Sequence, residues 1–93
     1  MSEALVLRAR FAADDRTLTV LAEPWFDAST VEWTGRYVFL PLDRSLPHAV
    51  ISAPQHRATR RDELLRRLQR TSDRALTRAL RDALAALAAP AEE

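Results

Sequence analysis

The sequence predicts an α+β fold: an antiparallel sheet of three to four strands, followed by one long or two short C-terminal helices packed on one face. Three observations predict it. Over the first half of the chain, apolar residues alternate with polar ones, as in half-buried strands. Beyond about residue 57, leucines and alanines recur three and four apart, as on a helix face. The charge changes at the same place: residues 1–56 carry five arginines against seven acids, and residues 57–82 carry nine against four. A boundary near Pro54 that shifts period and charge together, in a chain of 93 residues, marks a change of secondary structure inside one domain. That single domain, 1–93, is expected to be mainly β over 1–53 and mainly α over 57–89, with a frayed tail at 90–93.

The first strand is read from Leu5, Leu7, Ala9 and Phe11, which alternate with Val6, Arg8 and Arg10. Ala13-Asp14-Asp15-Arg16 supplies a turn, because aspartates hydrogen-bond their own nearby backbone. Thr17 to Ala22 completes a hairpin and places Leu18, Val20 and Ala22 on one face. Pro24-Trp25-Phe26, bracketed by Glu23 and Asp27, reads as a loop whose rings cap the core or anchor an interface. From Thr30 to Leu42, Val31, Trp33, Tyr37 and Phe39 share a parity that Gly35 interrupts. This is a single bent strand with a bulge or close approach at Gly35, or a hairpin turning at Thr34-Gly35; Thr-Gly is a poor two-residue turn, which favours the single strand. A short strand follows from His48 to Ser52, between Pro47 and Pro54.

Thr59, with Asp62 and Glu63 after it, resembles a helix start with acids at the positive end of the dipole. Leu64, Leu65 and Leu68 give an apolar face, and Leu76, Leu80, Leu84 and Leu87 continue it beyond Thr71-Ser72-Asp73. Two arrangements remain open: two helices with a tight joint at Thr71–Ser72, or one helix about 45 Å long. The core would combine Leu5, Leu7, Phe11, Leu18, Val20, Val31, Trp33, Tyr37 and Phe39 with Leu64, Leu68, Leu76, Leu80, Leu84 and Leu87.

Most enzymatic chemistry has no carrier. Without cysteine there is no disulfide, thiolate zinc site or cysteine nucleophile. One glycine cannot build a phosphate-cradling loop, and no nucleophile elbow or HExxH occurs. His48 and His56 would need to converge with a carboxylate such as Asp43 or Asp62 to act as acid, base or ligand; flanking a short strand, they read as loop histidines. No catalytic, cofactor-binding or metal-binding residue is therefore assigned, no cofactor is expected, and the chain reads as a non-enzyme. The longest uncharged stretch, Ser45 to His56, is twelve residues with two prolines and cannot span a membrane. Glu3 and Arg8 interrupt any secretory signal, so the expected location is cytoplasmic.

What remains is binding. The leading expectation is a small interaction or regulatory protein that forms a homodimer or meets a protein partner. Its interface would use Trp25, Phe26, Ala75, Leu76, Ala79, Leu80, Ala83 and Leu87, because small alanines let a second helix approach closely. The alternative is a nucleic-acid-associated protein. On one continuous helix, Arg67, Arg70, Arg74, Arg78 and Arg81 share a face that could follow phosphates without reading bases. All fourteen cations are arginine and asparagine is absent, a bias that fits GC-rich coding, so arginine identity alone says little about phosphate recognition.

Overall fold

A computed structural model of the chain describes residues 4–44, 46 and 48–88. The expected tail at 90–93, and residue 89 at the expected helix end, lie outside those residues. The fold is α+β: an antiparallel sheet followed by two helices.

Strand β1 (Leu5–Ala13) pairs with β2 (Arg16–Asp27) through a two-residue turn. Its central residues, Asp14 and Asp15, have φ of 51° and 64°. That mirror-image turn has the twist the strands require, and aspartate tolerates it better than most residues. The register shifts twice along β1, between Val6 and Arg8 and again between Arg8 and Phe11. The simple alternation expected there therefore breaks. Ala9 is exposed, and Arg8 sits opposite the core residue Val20.

β2 runs on to Asp27, so Pro24-Trp25-Phe26 is strand rather than the expected loop. The hydrogen-bond geometry explains how a proline fits. Gly35 turns its carbonyl to the far edge, where it accepts from the Gln55 N–H. Its cross-strand neighbour Pro24 must then turn its missing N–H the other way, towards β1, whose pairing begins only at Leu5 opposite Ala22. No ladder bond is forfeited.

The turn after β2 carries strain. Asp27 accepts from the Ser29 N–H and hydroxyl at 3.0 and 2.6 Å, and those bonds hold its carboxyl below the usual range. Val31 then closes the turn at φ 57°. A β-branched residue is a steric outlier there. Val31 is also 67% exposed, not in the core as its parity suggested, because it belongs to the turn and not the strand. Val31→Gly should stabilise the chain by about 0.5–1 kcal/mol, since relief of left-handed strain exceeds glycine's entropic penalty. A melting temperature unchanged or lowered would contradict this.

β3 (Glu32–Pro41) is one strand, with Gly35 opposite Pro24 on one side and His56 on the other. A methyl at Gly35 would lie 2.9 Å from Leu68 Cδ1 and 3.4 Å from Leu64 Cδ1. The close approach is made by helix leucines rather than by another backbone. Two short strands, β4 (Val50–Ile51) and β5 (His56–Ala58), share the free edge of β3. Between them the chain bulges, and the Ser52 hydroxyl accepts from the Tyr37 N–H in place of a backbone carbonyl. β5 occupies positions assigned from sequence to the boundary and the helical half; three residues centred on Arg57 are too few to carry a period.

Helices α1 (Arg61–Gln69) and α2 (Asp73–Ala88) meet at a three-residue joint. The N-cap of α1 is Arg60, without a side-chain bond, rather than Thr59; Asp62 and Glu63 do lie in its first turn. Ser72 caps α2, its hydroxyl accepting from the Ala75 N–H at 3.1 Å. Arg8 fixes the joint: it donates to the Thr71 carbonyl and Asp73 at 2.9 Å, and to the Leu7 carbonyl at 3.0 Å. One cluster joins Phe11, Leu18, Val20, Tyr37, Phe39 and Val50 of the sheet to Leu64, Leu68, Leu76 and Leu80 of the helices. Leu87, expected in the core, is 70% exposed near the end of α2.

Candidate interaction surface

Strand parity decides which face of the sheet the helices cover. Leu18, Val20 and Ala22 of β2 lie opposite Pro41, Phe39 and Tyr37 of β3, and all of these but the half-buried Pro41 enter the core. The residues between them face the other way. Leu21 lies opposite Val6 of β1 and Val38 of β3, and Val38 lies opposite Ile51 of β4. An aliphatic row, Val6–Leu21–Val38–Ile51, thus crosses every strand position of the sheet on the side away from the helices. Its two ends are 62% and 51% exposed, and none of the four belongs to the core cluster that the helices form with the sheet.

Charged groups flank the row on one side. Next along β2 and β3 come Glu23 and Arg36, directly opposed and joined at 2.6 and 2.8 Å. The Arg36 guanidinium also lies 5.1 Å from the centre of the Trp25 ring. Beyond it, Thr34 stands between Trp25 and Arg57. Thr34 is 1% exposed, and its Oγ1 has no hydrogen-bond partner among the described residues. On the other side of the row, Leu40 is opposite Thr19.

Both sheet edges are blunted while this face is not. β1 is broken by two register shifts and carries Arg8 and Arg10; the β4–β5 edge is interrupted by a bulge containing Pro54. Bulges, charges and proline are the usual means of preventing edge-to-edge pairing.

The interface residues expected from sequence fall in three places. Trp25 lies on the open face. Phe26 lies on the opposite side, 48% exposed and edge-on to Trp33 at 5.7 Å, so the two rings do not form one anchor. Leu76, Ala79, Leu80 and Ala83 are buried against the chain's own sheet, so the alanine face is not free to receive a second helix. Ala75 and Leu87 are exposed. Leu87 borders a groove of about 250 Å³ between α2 and Ile51, with Ala79, Ala83 and Asp82 in its lining.

The arginine stripe divides at the joint. Arg67 donates to the Arg57 carbonyl at 2.6 Å and to Glu63 at 2.9 Å. Arg81 grips Asp14 with two nitrogens, at 2.7 and 2.8 Å, and holds that carboxyl below its ordinary range. Arg70, Arg74 and Arg78 are exposed and make no ion pair among the described residues.

The histidines do not converge. His48 is exposed in the loop before β4, while His56 Nε2 is 2.9 Å from the Tyr37 hydroxyl, itself 2.6 Å from Thr71 Oγ1. Among the described residues no group of three or more His, Asp or Glu could hold a metal ion, and no helix is long and apolar enough to cross a membrane. Compared with known protein families, curated proteins and solved structures, the chain matches none.

Proposed function

We propose that the chain is a non-enzymatic interaction protein that docks a protein partner on the open face of its sheet. The carrying observation is the aliphatic row Val6–Leu21–Val38–Ile51, which takes no part in the helix–sheet core and whose ends are exposed. Scattered surface leucines need no explanation, but a continuous apolar row rimmed by polar groups is the pattern of an interaction site. The rim here holds tryptophan and arginine, the residues most enriched where binding energy concentrates. A photo-crosslinking amino acid placed at Val38 or Ile51 should give light-dependent adducts in the cells that make the protein. The same group at Ala85, exposed on α2, should give none. Adducts absent from both face positions, or equal from all three, would defeat the reading.

A second reading rests on Arg70, Arg74 and Arg78, cations that make no ion pair among the described residues. They suit loose phosphate contact with nucleic acid, which would weaken steeply with salt and ignore sequence. Duplex DNA binding at low salt that survives replacement of all three by glutamine would remove this alternative.

A further inference from the structure

We infer that the occupant of the open face is a second copy of this chain, the two sheets packed face to face with their helices outward. The inference rests on the open-face reading above and names its partner. Three observations carry it.

The first is self-complementarity. A two-fold contact requires that whatever residue i meets, its partner meets i in return. Place the axis parallel to the strands, midway between β2 and β3. Each β2 then lies over the other copy's β3, and each β1 over the other's β4. The aliphatic row meets itself in reverse, Val6 against Ile51 and Leu21 against Val38, with apolar groups at every crossing. One step along, Glu23 of one copy faces Arg36 of the other, and Arg36 faces Glu23. At this crossing the charges are complementary in both directions, and the ion pair already present in each chain becomes part of a four-membered cluster. One step further, Trp25 of one copy stands over Thr34 of the other.

The second observation is size. β2 and β3 pair over ten residues, β1 runs along Arg16–Ala22 of β2, and the short β4 and β5 fill the fourth position. At ordinary strand spacing and rise they make a face of about 500 Å² a side before side-chain corrugation is added, close to the roughly 600 Å² a side at the lower end of what stable dimers bury.

The third is exclusion of another mode. A single extended peptide binds by adding to a sheet edge, and both edges here are blunted. A flat aliphatic face suits another sheet, and two sheets pack about 10 Å apart with their strands nearly aligned.

The test is a charge exchange between copies. Light scattering of the native chain at micromolar concentration should return twice the 10.5 kDa of one chain. Glu23→Arg alone and Arg36→Glu alone each set like charges across the contact and should weaken self-association roughly a hundredfold or more. An equimolar mixture of the two variants restores opposite charges at both crossings and should return to the dimer mass. Circular dichroism confirms that each variant is folded; because the ion pair within the chain is broken in both, only a contact between chains can make mixing matter. A native chain that remains at 10.5 kDa overturns the inference. So do variants that stay dimeric, and folded variants whose mixture stays monomeric. Photo-adducts from Val38 separate the two levels of the argument. Adducts of some mass other than twice the chain overturn the second copy and leave the open face as a docking site. No adduct removes both.

Discussion

Leu68→Ala is expected to remove about 2–5 kcal/mol of stability, a large part of what a domain of this size possesses. Leu68 is fully buried and faces the backbone of β3 at Gly35, the one position where the sheet has no side chain. Truncation leaves a cavity that a rigid strand cannot close. Gly35→Ala should destabilise for the opposite reason. Its methyl would stand 2.9 Å from Leu68 Cδ1, and overpacking of this kind costs about 1–3 kcal/mol. A gain of about 0.4–1 kcal/mol from a stiffer unfolded chain offsets part of that, because the glycine does not have positive φ. The two changes are mutual remedies. In the double variant the methyl at position 35 enters space vacated at position 68, so the combined loss should be smaller than the sum by about 1–2 kcal/mol. Urea unfolding of the native chain, both single variants and the double closes the cycle. Simple additivity would mean that the helix moves away from the strand, and that Gly35 is not there to admit Leu68.

Period and charge made the architecture legible, but not the register. Leu18, Val20 and Ala22 announced one face of β2, and Leu64, Leu68, Leu76 and Leu80 announced the helix stripes, because each pattern is local. The open-face row could not be read that way. Val6, Leu21, Val38 and Ile51 lie 13 to 17 residues apart in sequence and become neighbours only once three pairings are in register. The two shifts in β1 make that register unpredictable from alternation alone. The arginine stripe is divided for a related reason, since its common face assumed a continuous helix. Ser72 supplied the contrary signal, a good N-cap at a point with no glycine or proline. Arg8 was invisible as an organiser. Its partners Thr71 and Asp73 are more than sixty residues away, and a charged residue in a half-buried strand ordinarily looks outward. The interface expectation put weight on alanines that the protein uses for close packing of α2 on its own sheet. Small residues permit close approach without saying which surface approaches.

Tyr37→Phe should cost about 1–3 kcal/mol, because one hydroxyl links three parts of the fold. Tyr37 is 2% exposed, and its oxygen bridges His56 of β5 to Thr71 of the helix joint. Burial raises the phenol pKa, so the hydroxyl keeps its proton. The hydrogen bonds can run in either direction. With neutral His56, Thr71 donates to Tyr37 and Tyr37 donates to Nε2. With protonated His56, Nε2–H donates to Tyr37, Tyr37 to Thr71, and Thr71 to the Arg67 carbonyl at 3.3 Å. Protonation therefore breaks no bond in the chain. What opposes it is burial first and the Arg67 cation second, and together they hold the imidazole below its ordinary value of 6.5. The unfolded chain binds that proton more readily than the folded one, so stability rises with pH across this window. The contribution is fully present above the ordinary imidazole value and is lost as pH falls through the lower folded value. Denaturation midpoints should accordingly fall between pH 7.5 and 5.5 in the native chain. This range lies above the titration of Asp14 and Asp27, both held below 3.8. His56→Gln should flatten the dependence, since glutamine can accept from Tyr37 but does not titrate. Tyr37→Phe should lower the midpoint at every pH, because it strips a partner from Thr71 whatever the charge on His56. Thr71→Val removes the group so stranded, and adding it to Tyr37→Phe should cost less than it does in the native chain. Equal costs in the two backgrounds, or a slope that persists in His56→Gln, would show that the hydroxyl does not couple β5 to the joint.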